Sequence, residues 1–91
     1  MEAILQAAQL RAKGKHDEAL ALVDATLPTL ADQERFMLML QGLYAAEEAA
    51  NRDKARRYAQ ELAAIEPNLV SVQPYVALAP ADITSLDFSK R

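Results

Sequence analysis

The chain has 91 residues, of which 52% are hydrophobic and 25% are charged, and its net charge is −3. This length corresponds to one domain with a modest core, and the mild acidity argues against nucleic acid as a partner, because phosphate binding needs a basic surface. The absence of cysteine excludes disulfides and thiolate metal sites. No apolar stretch approaches a transmembrane span, and the polar-interrupted N-terminus is unlike a signal peptide, so we expect a cytoplasmic protein that does not bind membranes.

Two helices are predicted in the first third of the chain. Apolar residues recur at helical spacing over residues 2–13, and Gly14 supplies a stop that favours the left-handed conformation. A second helical pattern runs over residues 17–27. It ends before Pro28, because proline disfavours the helical conformation in the residue that precedes it. Together these segments predict an antiparallel helical hairpin.

The third predicted helix is the longest and contains the densest apolar run. It covers about residues 30–50, and the spacing of Thr29 and Asp32 is typical of a capping box. Residues 36–40 are all apolar. Since consecutive residues on a helix diverge by about 100°, one neighbour cannot cover this run. Gly42 lies inside the helix at a cost of about 1 kcal/mol relative to alanine, so we expect a close approach there.

A fourth helix is predicted over residues 52–65, and Pro67 ends it. Residues 68–91 have a different character, because prolines interrupt them and no long helical stripe survives. Their apolar residues are nevertheless too many for a freely solvated tail. We expect a short helix over residues 74–79 and a turn over residues 80–86, in a segment that either caps the hairpins or binds a partner.

The two halves of the chain share an internal repeat. When the sequence is shifted by 36 residues, Ala19 falls on Ala55, and both halves follow the order helix, short turn, helix. The sequence therefore predicts an all-α fold of two stacked αα-hairpins. The hairpins cover about residues 2–27 and 30–66, within one domain over residues 1–67.

In this repeat the chain resembles the tetratricopeptide repeat family. Residues 13–20, with a glycine, an acidic pair and then Ala19, are similar to the turn into that family's second helix. The spacing of Ala55 and Pro67 is similar to that between the small residue of the family's second helix and the proline that closes the repeat. The chain departs from the family at His16, where an aromatic residue is usual, in lacking the usual tryptophan, and in a period longer than 34 residues. The resemblance implies a scaffold of stacked helices that binds other proteins.

The sequence contains no pattern that is typical of catalysis or metal binding. His16, the only histidine, has no evident orienting partner. The pairs Asp17–Glu18 and Glu47–Glu48 diverge around their helices, so neither forms a preset acid–base couple. There is no glycine-rich phosphate loop. We therefore expect neither enzymatic activity nor a cofactor.

The surface expected to bind a partner is the exposed remainder of the third helix together with the first helix, and the basic cluster near Arg52 and Arg56 is a second candidate. Methionine adapts to varied partners, and the angular argument leaves Leu38 and Met39 in need of cover from residues 68–91, a second copy or a ligand. The residues predicted to bind a partner are Phe36, Leu38, Met39, Leu43, Arg52 and Arg56.

The predicted function is a small protein–protein interaction module, an adaptor or scaffold that holds a helix or peptide on a hydrophobic helical face. Two alternatives remain open. The first is a structural homodimer that exchanges third helices or C-terminal segments. The second is a small chaperone of a secretion-type system.

Overall fold

The part of the chain that the structure describes, residues 2–76 of a computed structural model, consists mostly of helices. The four long helices are α1 (Glu2–Ala12), α2 (His16–Thr26), α3 (Asp32–Glu48) and α4 (Arg52–Ile65), and a short helix, α5 (Gln73–Val76), follows them. Single 3-10 turns stand at Leu27–Thr29 and Val70–Val72. These residues contain no strand, so the predicted all-α fold is confirmed.

Consecutive helices form two hairpins that stack on each other. α1 packs against α2, and α3 packs against α4. α3 also contacts α1 and α2, which joins the hairpins into one core. The observed bounds of α4 are those predicted, and the other three long helices begin and end within about two residues of the predicted positions.

The capping box predicted at Thr29 and Asp32 does not form. The residue before α3 is Ala31, whose backbone is extended and whose side chain cannot accept a hydrogen bond. Pro28 instead lies inside a 3-10 turn, Leu27–Thr29, at the end of α2, and Thr29 Oγ1 donates to the carbonyl oxygen of Thr26 at 2.7 Å. Thr29 is therefore part of this turn, two residues too early in the chain to cap α3.

The turn of the first hairpin depends on a glycine in the left-handed region. Gly14 has a φ of 75°. The N–H of Lys15 donates to the carbonyl oxygen of Leu10 at 2.8 Å, and the N–H of Gly14 donates to that of Arg11 at 3.0 Å. This pair of bonds is a Schellman motif, which satisfies carbonyl groups that the end of α1 leaves unpaired.

The second hairpin turns in the same way without a glycine. Ala50, which lies 36 positions after Gly14, has a φ of 57°. The N–H of Asn51 donates to the carbonyl oxygen of Ala46 at 2.8 Å, and that of Ala50 donates to Glu47 at 3.1 Å. Equivalent turns at equivalent positions agree with the 36-residue repeat seen in the sequence.

α3 lies at the centre of the structure, because α1, α2 and α4 all pack around it. The prediction that no single neighbour covers its apolar run is therefore confirmed. The buried face of α3 carries large and small residues in alternation, which allows the three neighbours to approach closely. Its buried residues are Leu38, Met39, Gly42, Leu43, Ala45 and Ala46.

The closest approach to α3 occurs at Gly42, as the sequence predicts. A Cβ atom at this position would lie 2.9 Å from Val23 Cγ1 and 3.1 Å from the Tyr58 ring. Val23 belongs to α2 and Tyr58 to α4, and both are fully buried. The missing side chain therefore makes room for both neighbouring helices at one point.

The described part of the C-terminal segment packs on the second hairpin. Val72 is fully buried and Tyr75 is nearly so, and both belong to elements that contact α4. The hydroxyls of Tyr44 and Ser71 share a hydrogen bond of 2.6 Å, and Tyr75 donates to a carboxylate oxygen of Glu47 at 2.6 Å. These contacts fix the segment along the second half of α3.

Two predictions for this segment concern residues that the structure does not describe. The helix predicted over residues 74–79 is represented only by its first residues, which belong to α5. The turn predicted over residues 80–86 lies outside the described residues. Whether residues 68–91 as a whole cap the hairpins or bind a partner stays a prediction.

Replacing Ala50 with glycine should stabilise the protein. Alanine in the left-handed conformation costs about 1 kcal/mol, and glycine avoids this cost. We expect Ala50→Gly to raise the free energy of unfolding in urea by about that amount. The matched control is Ala49→Gly, because Ala49 has a φ of −84° and glycine there should lower the stability. Equal destabilisation by both substitutions would contradict the strain at Ala50.

Replacing Gly42 with alanine should destabilise the protein although alanine favours helices. The gain in helix propensity is about 1 kcal/mol, whereas overpacking a core costs about 1–3 kcal/mol. Thermal and urea unfolding should therefore show a net loss. The double variant Gly42→Ala/Val23→Ala should lose less stability than the sum of the two single losses, because Val23 Cγ1 is the atom nearest the added methyl group. If the two losses simply add, the contact between residue 42 and Val23 is not the cause of the destabilisation.

Candidate protein-binding groove

Three of the six residues predicted to bind a partner belong to the core. Leu38, Met39 and Leu43 are fully buried within the chain. The prediction is wrong for them because it counted the faces of α3 without its neighbours, and three helices surround this one. Leu38 and Met39 need no cover from a second copy or a ligand.

The other three predicted residues lie at two separate places. Phe36 is half-buried in the second turn of α3, whereas Arg52 and Arg56 lie in the first two turns of α4. Because α3 and α4 run antiparallel, the start of α4 is about 20 Å along its axis from the end near Phe36. Arg56 also lies 3.8 Å from a carboxylate oxygen of Asp53. The structure therefore does not bring the basic residues to Phe36.

An open apolar groove lies where the start of α3 meets the end of α4. Its apolar walls are Phe36 of α3, Ile65 of α4 and Leu69 of the segment that follows. The groove encloses about 610 Å³, and Ile65 is 58% exposed. We call this site, formed by Phe36, Ile65 and Leu69, the apolar groove.

A side-chain amide shapes the third wall of the apolar groove. Gln73 Nε2 donates to the carbonyl oxygens of Pro67, at 2.7 Å, and Leu69, at 3.2 Å. Glu66 Oε1 accepts a hydrogen bond from the N–H of Asn68 at 3.3 Å. These bonds fold the chain just after α4, so that Leu69 lines the groove beside the end of that helix.

Polar and charged side chains edge the apolar groove. Asp32 and Glu66 are exposed carboxylates on opposite helix ends, and Gln33 is an exposed amide. The guanidinium of Arg35 lies 3.6 Å from a carboxylate oxygen of Glu61, so this ion pair joins α3 to α4 beside the groove. The edge therefore carries more negative than positive charge.

A second cluster joins the two hairpins at the far end of α3. Arg11 donates twice to Glu48, at 2.7 and 3.0 Å, and once to Gln41 at 2.7 Å. Its guanidinium also stacks over the Tyr44 ring, 5.0 Å from the centroid. The hydrogen bonds from Arg11, opposed by partial burial, hold the pKa of Glu48 below its usual range. This bidentate pair fixes α1 against α3.

A third cluster joins α2 to α4. Asp24 accepts hydrogen bonds from Lys54, from the Tyr58 hydroxyl and from Arg57, the last at 3.0 Å. Burial alone would raise the pKa of Asp24, but the bonds from Lys54 and Tyr58 and the nearby cations lower it overall. Burial and the neighbouring Asp24 raise the pKa of Tyr58. The phenol therefore stays a neutral donor to a carboxylate.

His16 lies where the first hairpin meets the end of α3. It begins α2, and its Nδ1 atom lies 3.3 Å from a carboxylate oxygen of Glu48 without a well-aligned hydrogen bond. Within residues 2–76, no three histidine or carboxylate side chains converge so as to hold a metal ion. Of the helices in that range, none combines the length and apolar character that a membrane crossing requires.

The sequence reasoning missed two residues of the apolar groove. Ile65 lies three residues after the buried Leu62, a spacing that is typical of a core residue, yet α4 ends there and leaves it exposed. Leu69 was recognised only as one of many apolar residues after Pro67. A signal was present in the pattern, because an apolar residue at the last position of a helix has fewer neighbours to cover it.

The comparisons with known proteins give no family. No protein-family model matches the chain, and neither the curated proteins nor the solved structures include a significant match. The groove must therefore be interpreted from its own geometry and charge.

Neutralising Asp24 should remove a pH-dependent part of the stability. Because folding lowers its pKa, the stabilisation is present above about pH 4 and is lost as the pH falls through the folded-state value. Asp24→Asn should cost about 1 kcal/mol at pH 7 and much less at pH 2–3, measured by urea unfolding.

The matched control for Asp24→Asn is Asp53→Asn. The Asp53 side chain is 94% exposed, and its ion pair within the described part of the chain is with Arg56, at 3.8 Å. It should change stability little at either pH. If both variants give the same pH profile, the cluster around Asp24 does not contribute as described.

Proposed function

We propose that this chain is a protein–protein interaction module that holds apolar side chains of a partner helix or extended peptide in the apolar groove. The observation that carries the proposal is the exposure of Ile65 between Phe36 and Leu69, in a concave site with a polar edge. Concave apolar sites with a few polar groups around them are typical of binding sites.

The size of the groove suits large apolar side chains. A volume of about 610 Å³ lies within the range that ligand pockets in proteins have. Burying one such side chain contributes about 1.5–3 kcal/mol, so a short peptide with two anchors should bind with micromolar affinity at best. This affinity is suited to a reversible adaptor.

Two walls of the groove are preorganised. α3 and α4 share a core that includes Leu43 and Leu62, both fully buried, and the Arg35–Glu61 pair joins the helices beside the groove. A partner would therefore meet walls whose conformational entropy has already been lost on folding. Preorganisation of this kind favours capture of a flexible segment.

The resemblance to tetratricopeptide repeats supports the same function. Two hairpins with equivalent turns at Gly14 and Ala50 match the repeat on which the resemblance rests. That family uses stacked hairpins as scaffolds for binding proteins. Burial of Leu38 and Met39 within one chain removes the reason for expecting these two residues to contact a partner.

A peptide-display selection on the immobilised protein tests this proposal. Selected peptides should bind the full chain in fluorescence anisotropy, and Ile65→Asp should weaken them at least tenfold, because it places a charge in the apolar groove. Since Ile65 is more than half exposed, the variant should keep its melting temperature within a few degrees.

The matched control for Ile65→Asp is Leu5→Asp. Leu5 is 60% exposed, close to the value for Ile65, but it lies on α1 and does not line the groove. This variant should bind the selected peptides as the parent does. Selection of no binder, or of binders that Leu5→Asp weakens as much as Ile65→Asp, would overturn the proposal.

A further inference from the structure

The charges beside the apolar groove are unbalanced. The charged groups beside the groove are three carboxylates and one guanidinium, so their net charge is −2. They belong to Asp32, Glu61, Glu66 and Arg35. The guanidinium is already paired with Glu61 at 3.6 Å. Asp32 and Glu66, both exposed, therefore determine the sign of the field at the mouth of the groove.

The helix dipoles do not reverse this sign. The groove lies at the start of α3, where the dipole is positive, and at the end of α4, where it is negative. The partial charges at these two ends are similar in size and opposite in sign, so they largely offset each other. The side-chain carboxylates are left as the dominant charges.

We infer that the segment bound by the apolar groove is cationic, with a large apolar side chain between Phe36, Ile65 and Leu69 and with lysine or arginine within one turn on either side. This inference rests on the proposed function of the groove. The flanking cations would lie near Asp32 and Glu66, on opposite walls, so a partner with acidic flanks would be repelled at the same two points.

The expected effect is moderate and depends on salt. Exposed ion pairs change affinity by about two- to fivefold each. Two attractive pairs in a cationic peptide, against two repulsive ones in an acidic peptide, should separate their affinities by at least tenfold at low salt. The ratio should shrink as salt screens the exposed carboxylates.

The test uses two synthetic amphipathic peptides with the same apolar stripe, one with lysine and one with glutamate at every polar position. Their dissociation constants for the full chain are measured by fluorescence anisotropy at about 20 and 300 mM salt. At the lower salt concentration, the lysine peptide should bind at least tenfold more tightly than the glutamate peptide. Ile65→Asp should abolish its binding.

The carboxylates are tested by the double variant Asp32→Asn/Glu66→Gln, which keeps the local geometry. Asparagine tolerates the left-handed φ of 54° at residue 32, and glutamine can still accept from the Asn68 N–H. The variant should bring the two peptides within about threefold of each other. The charge-matched control, Asp17→Asn/Glu18→Gln on exposed positions of α2, should leave the ratio unchanged.

The outcomes separate the two proposals. If both peptides bind equally well and Ile65→Asp abolishes both, the charge inference fails and the groove proposal stands. If neither peptide binds, both proposals fail. The other occupants to be tested are residues 77–91 of the same chain and a second copy. A shift of the Ile65 methyl resonances when Leu86 and Phe88 are replaced by serine, or on dilution, would overturn the inference.

Discussion

The contact of Val23 and Tyr58 with the backbone of α3 at Gly42 is the constraint on which the rest of the structure depends. At this point side chains of α2 and α4 lie so close to the α3 backbone that an added Cβ atom would force them to shift. The position of Tyr58 in turn brings its hydroxyl to Asp24, and this carboxylate joins α2 to α4. The missing side chain at Gly42 thus leaves the space in which the Tyr58 ring lies while its hydroxyl reaches Asp24.

The local features of the fold could be predicted from the sequence, because they depend on residues close together in the chain. The bounds of α4 and the stop at Gly14 follow from periodicity and from backbone preference. The predicted capping box does not form for a local reason, since Thr29 belongs to the 3-10 turn around Pro28 and α3 begins only after Ala31. Two neighbouring signals competed, and the sequence alone did not rank them.

The binding surface was harder to predict, because it depends on which helices meet. Five consecutive apolar residues show that α3 needs several neighbours, but only the packing shows that Leu38 and Met39 are fully buried and that α1, α2 and α4 all contact this helix. Phe36 was predicted to bind a partner and lines the apolar groove. Ile65 and Leu69 were not in the prediction, because their arrangement comes from the turn after α4, which has no periodic pattern.

The three walls of the apolar groove differ in local stability. Two of these walls belong to long helices that share the buried core. The wall formed by Leu69 belongs to a short segment, which hydrogen bonds of Gln73, Ser71 and Tyr75 and the burial of Val72 hold in place. Sub-global opening of residues 67–75 would therefore widen the groove while α3 and α4 stay folded, and hydrogen exchange should be faster there than in either helix. One protein could in this way admit segments of different girth without repacking its core.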